Sequence, residues 1–134
     1  MYDVIAFLKP NADADMGFMR EILESNCSSI LRDFSLETSD CITTPDPDSL
    51  VLRIPEPEAS LQIQRVFGED AATVAGELAE FTTQDIAGTA ECYTMSGDDP
   101  QMELFNAHLF IIDDLLESNR FVLVDPVDLK EITA

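Results

Sequence analysis

Apolar and polar positions follow two different periods along this chain. Met16, Met19, Leu23, Cys27 and Ile30 recur at steps of three and four, with Phe18, Ile22 and Leu31 beside them. Glu21, Glu24, Ser25, Ser28 and Arg32 take the opposite side, which predicts an amphipathic helix over about residues 13–32. Asp13 or Asp15 stands where a carboxylate caps a helix start and faces its dipole. Met102, Phe105, Leu109, Ile112 and Leu116 repeat the spacing, flanked by Leu104, His108, Ile111 and Leu115. They predict a second strong helix over about 100–118, with Asp99 as its cap and Pro100 in its first turn.

The remaining apolar runs are short. Tyr2–Leu8 reads as a strand buried on both faces, ending before Pro10. Leu50–Ile54, Thr89–Met95 and Phe121–Val124 read as further strands, the last stopped by Asp125 and Pro126. Residues 34–44 hold strand formers in Thr38, Ile42, Thr43 and Thr44, without clean alternation. Four of the seven prolines lie between positions 45 and 57, which predicts a hairpin or loop at an exposed sheet edge. Pro57 suits a helix start, which Leu61, Ile63, Val66 and Phe67 would continue to Gly68. Ala71, Val74, Ala75, Leu78 and Phe81 predict another helical stretch, and no element is predicted past Val127.

Helices and strands therefore alternate, which predicts an α/β (α+β) fold with one mixed β-sheet covered by helices. The first six elements match a ferredoxin-like βαββαβ unit, with a C-terminal helix and strand added. The 134 residues fit a single domain over 1–134, large enough to bury roughly two-thirds of its unfolded surface.

Composition sharpens this picture. Apolar residues make up 46%, which separates the chain from acidic disordered tails. The longest uninterrupted apolar run, Val4–Leu8, falls short of the roughly 20 residues of a bilayer span. It is also too short, and lacks the basic flank, for a secretory signal, so a cytoplasmic location is expected. Cys27, Cys41 and Cys92 form no C-x-x-C pair and read as reduced thiols, Cys27 as a small buried hydrophobe.

Candidate chemistry is sparse. His108 is the only histidine, which removes a two-histidine metal site, and its place on an apolar helix face argues against a Ser-His-Asp triad. None of the five glycines forms a phosphate-binding loop. Asn11, Asp13 and Asp15 begin like a calcium loop, but Gly17 comes one place late and Ile22 stands where a bidentate Glu is needed. Asp98–Asp99 and Asp113–Asp114 are carboxylate pairs of the kind that hold Mg²⁺ and, more often, sit solvated at helix ends. Neither a catalytic group nor a cofactor nor a metal is expected.

Charge points further. Seven basic against 27 acidic residues give a net charge of −20, which repels nucleic acid and anionic membranes. Asp40, Asp46, Asp48, Glu56 and Glu58 face Arg53 alone in the stretch 40–58. On the last long helix, Phe110 lies at the centre of the polar half, among Glu103, Asn106, Asp113, Asp114 and Glu117. An aromatic ringed by acids is the form of a hot spot for a basic protein, with rim charges steering encounter. Asp46, Asp48, Glu56, Glu58, Glu103, Phe110, Asp113, Asp114 and Glu117 are thus the candidate partner-binding residues.

Size, acidity and a helix–strand ending in Phe121-Val122-Leu123-Val124-Asp125-Pro126 resemble the small immunity proteins of bacterial polymorphic and contact-dependent toxin systems. The resemblance implies a chain that binds and blocks a cognate toxin domain, often a basic nuclease, with acids standing where the toxin receives phosphates. Alternatives are a DNA-mimic inhibitor of a DNA-binding protein, a salt-adapted acidic domain, and a carboxylate- or metal-dependent enzyme without a recognisable motif. An exposed Phe110 is equally suited to seat a homodimer.

Overall fold

A computed structural model describes residues 2–56 and 58–133. The elements are β1 (Tyr2–Leu8), α1 (Met16–Asp33), α2 (Thr38–Cys41), β2 (Ile42–Thr43), β3 (Ser49–Pro55), β4 (Glu58–Phe67), α3 (Glu69–Leu78), β5 (Glu91–Asp98), α4 (Phe105–Ser118), β6 (Phe121–Asp125) and β7 (Lys130–Ile132). The seven strands form one sheet in the order β2-β3-β4-β5-β1-β6-β7. This is a single-domain α+β fold.

Every neighbouring pair is antiparallel, where the alternation of elements led to a mixed sheet. The reason lies in the connections. β5 and β6 run in the same direction, but β1 lies between them, with Ile5 opposite both Thr94 and Val124. Helix α4 crosses over this inserted strand, giving a split β-α-β arrangement without a parallel pair. Helix α3 joins β4 to β5, which are adjacent and antiparallel, so the strand order departs from the ferredoxin-like plan.

Residues 58–67 are the largest local departure from the sequence reading. They form β4, not a helix. Ala59, Leu61 and Ile63 are buried while Glu58, Gln62 and Gln64 are exposed, a period of two. Leu61 and Ile63 bracket Gln62, an alternation that sheet pairing on both sides of the strand turns into a buried face. Pro57, read as that helix's first turn, lies outside the described residues. Residues 38–41, read as strand, form the short helix α2, and only Ile42–Thr43 pair with β3.

The sheet has two unequal faces. Helices α1 and α4 pack on the first, sharing a core with Ala6, Leu52, Ile63, Met95 and Leu123 among others. Helix α3 and Ile86 cover the β1, β5 and β6 part of the second, over Phe7, Cys92, Val122 and Val124. The rest of that second face carries Thr43, Gln62 and Gln64, exposed, with Ser60, Thr94 and Ser96 half-buried, consistent with a polar side open to water. The edge strands β2 and β7 have two and three residues, and such short edges limit further strand pairing.

Helix α1 starts at Asp15, whose carboxylate accepts from the Phe18 N–H at 2.8 Å. Arg120, at the start of β6, lies 4.3 Å over the Phe18 ring and donates to the Asp13 carbonyl at 3.0 Å. Asn26 on α1 donates to the Asp114 carboxylate on α4 at 2.8 Å.

Candidate functional site

Helix α4 begins five residues later than Pro100. Met102 takes a left-handed conformation (φ 57°), which interrupts any helix running from 100. Asp99, almost fully buried, still serves the helix entry. Its two carboxylate oxygens accept from the Glu103 N–H at 2.8 Å and the Leu104 N–H at 2.7 Å. Two donors without intrahelical partners are thus satisfied by one side chain. This use of both oxygens accounts for Asp99 without a metal, while Asp98 is exposed at the end of β5.

The later start leaves α4 with a buried stripe of Ala107, His108, Ile111, Ile112 and Leu115. Leu109, assigned to the core by its spacing, is exposed. Phe110 is 57% exposed, and Asn106, Asp113 and Glu117 are exposed at helical steps from it. Among the described residues no other element covers Phe110.

At the beginning of α4 a cleft of about 580 Å³ opens between the helix, the start of β1 and the β6–β7 turn. Such a volume lies within the range of ligand pockets, about 300–1,000 Å³. Val4, Phe105, Leu109 and Ile112 give it an apolar floor; Asp3, Asp99, Asp125 and Asp128 are also in its lining. The Asp125 carboxylate accepts from the N–H groups of Val127 (2.9 Å) and Asp128 (3.0 Å), which shapes the turn. His108 lines the cleft too. Burial lowers its pKa to about 4, opposed by the nearby Asp3 carboxylate, so the imidazole is neutral at pH 7.

Large exposed apolar side chains concentrate here. Among the described residues they are Phe67, Met102, Leu109, Phe110, Val127 and Leu129. Met102, Leu109 and Val127 line the cleft, Phe110 adjoins Leu109, and Leu129 follows in the β6–β7 turn. Apolar surface gathered beside carboxylates has the make-up of a protein contact surface.

The sequence-predicted partner residues separate into three places. Glu56 and Glu58 lie at the β3–β4 turn, the same end of the sheet as Asp3, Asp98 and Asp125. Glu103 is at the entrance to α4, and Phe110, Asp113 and Glu117 continue up its outer face. Asp46 and Asp48 are at the opposite end of β3, on the order of 25 Å from Glu56 at about 3.3 Å per residue. The acidic stretch 45–58 is therefore not one patch. Asp46 also accepts from the Asp48 N–H and the Ser49 hydroxyl, and Asp48 lies 3.9 Å from Arg65, which is paired with Glu91. Asp114 is held by Asn26.

Sequence reasoning missed Asp3, Asp125, Asp128, Met102, Leu109 and Val127 as parts of one place. Met102 and Leu109 fitted the helical period and so read as core, and the β6–β7 turn carried no predicted element. The Asp125-Pro126 pair was the available signal for a turn there.

The thiols are buried and free. Burial pushes Cys27 up to about 12, and burial with the Glu91 charge pushes Cys92 up to about 11, so both are protonated and inert as nucleophiles. Tyr93 is packed edge-on to Phe121 with ring centroids 5.9 Å apart, and burial, then Glu91, pushes its hydroxyl up to about 12. Among the described residues no three His, Cys, Asp or Glu side chains converge as a metal set, and no helix is long and apolar enough to cross a membrane.

Comparison with protein-family models, with curated proteins and with solved structures finds no match to this chain.

Proposed function

We propose that this chain is an acidic binding protein that neutralises a basic protein partner by direct contact, in the manner of an immunity protein blocking a cognate bacterial toxin in the cytoplasm. One observation carries the reading: exposed Met102, Leu109, Phe110 and Val127 gather beside carboxylates at the start of α4 in a chain of net charge −20. The apolar groups supply anchors, and the field steers a positively charged surface towards them. The contact face comprises the cleft, the outer face of α4 and the neighbouring Glu56–Glu58 turn. Asp46 and Asp48 contribute to the long-range field only.

Capture from the source cell at low salt, with elution at raised salt, tests this. The expected result is a one-to-one complex with a single basic protein whose toxicity the complex abolishes. Failure to form that complex with any co-expressed basic toxin domain encoded beside this chain overturns the reading. Recovery of a DNA-binding protein displaced by duplex DNA would replace it with DNA mimicry.

A further inference from the structure

The cleft at the start of α4 has a feature that the net charge alone does not supply. Its floor is apolar, and among the described residues that line it four are aspartates and none is Lys or Arg, while the N-terminal positive charge also acts on His108 there. Two of the four carboxylates serve the fold, Asp99 at the α4 entry and Asp125 in the β6–β7 turn. Asp3 and Asp128 accept no hydrogen bond from the described side chains or backbone. They are thus the carboxylates available to an incoming group, from two separate elements, β1 and the β6–β7 turn.

A group suited to this place needs an apolar stem and a cationic head. Lysine and arginine both have that form, burying methylenes on apolar surface while the charge reaches a polar rim. The guanidinium is the more weakly hydrated of the two and presents a planar fork that matches carboxylates, so it loses less on entering a half-apolar cleft. A second copy of this chain is disfavoured as the occupant, since it brings another −20 to the contact.

We propose that the cleft receives an arginine side chain of the partner, its stem lying along Phe105, Leu109 and Ile112 and its guanidinium held by Asp3 and Asp128. The assignment rests on the reading of this chain as a binder of a basic protein.

The test uses the full chain and small probes, so its failure is separable from failure of the partner reading. Amide NMR spectra are followed during titration with N-acetyl-arginine methylamide at constant ionic strength, and with the corresponding citrulline and lysine compounds. The arginine compound is expected to produce saturable shifts centred on Asp3, Leu109, Val127 and Asp128. The citrulline compound, similar in shape and uncharged, should produce none that saturate, and the lysine compound should bind more weakly. Asp3→Asn with Asp128→Asn should weaken arginine binding at least about fivefold. Asp70→Asn with Glu77→Gln on α3, an equal change in charge, should leave it unchanged. Equal binding of citrulline or lysine, shifts spread evenly over acidic residues of α3, or an unaltered affinity in the Asp3–Asp128 variant would overturn the assignment. In those cases the captured partner would still decide the wider reading.

Discussion

Asn26 of α1 donates a hydrogen bond to the Asp114 carboxylate of α4 at 2.8 Å, joining the two helices that cover one face of the sheet. Asp113, the neighbouring acid, is exposed. Two adjacent carboxylates on one helix thus have separate roles. Replacing Asp114 by Ala is expected to destabilise the fold by about 1–2 kcal/mol, since a charge-assisted bond is lost at a partly buried site. Asp113→Ala should change stability by less than about 0.5 kcal/mol. Urea unfolding of the two variants checks this; equal effects would refute the division.

Asp99 is the carboxylate on which the start of α4 depends. Asp99→Ala leaves the N–H groups of Glu103 and Leu104 without their acceptor in a buried turn. A loss of about 2 kcal/mol or more is expected, and Asp99→Asn should recover part of it. Denaturant midpoints of the two variants, compared with the parent chain, provide the measurement.

Phe110 offers the cleanest separation of binding from folding. With more than half of its surface exposed, truncation to Ala should leave stability within about 0.5 kcal/mol. Affinity for the neutralised partner should fall by at least about 2 kcal/mol. Calorimetric titration reads the second quantity, and an unchanged affinity would remove Phe110 from the contact surface.

His108 makes stability depend on pH. Its folded pKa of about 4 is depressed from the ordinary 6.5, chiefly by burial. The unfolded chain therefore binds the proton more readily. The stabilising contribution of the neutral imidazole is complete above about pH 6.5 and is withdrawn as pH falls towards about 4. His108→Gln should accordingly lose less stability than the parent chain between pH 6.5 and 4. Parallel curves would show that this imidazole is not the titrating group.

Salt separates partner steering from salt adaptation. Association with a basic partner should slow by at least about tenfold from 0.05 to 0.5 M KCl, as the Debye length shortens. Folding stability should rise with KCl only until a few tenths molar, where surface repulsion is screened to a few ångströms. A stability that continues to climb into the molar range would favour the salt-adapted alternative. Stopped-flow rates and unfolding midpoints supply the two measurements.

Legibility from sequence followed the length of the pattern. Helix α1 was readable because the apolar stripe persists for several turns, and of the two cap candidates, Asp13 and Asp15, the structure uses Asp15. β4 was misread because Pro57 mimicked a helix start and Val66-Phe67 broke the alternation set by Leu61 and Ile63. Sheet pairing with β3 and β5, which no local window contains, decided the outcome. The exposure of Phe110 was legible only through the helical period, because its sequence neighbours Leu109, Ile111 and Ile112 are apolar. The cleft was invisible because Asp3, Leu109 and Asp128 are brought together only by the insertion of β1 between β5 and β6.

That insertion also dictates the order in which the molecule can assemble. β1 leaves the ribosome before the other six strands, yet its partners are strands around Thr94 and Val124. Until both have been made, the run from Val4 to Leu8 lacks a permanent neighbour on at least one edge. Contacts so distant in sequence slow folding and lengthen the time for which an apolar strand is open to wrong pairings. The sheet is thus closed late, with the arrival of β6 deciding when β1 becomes secure.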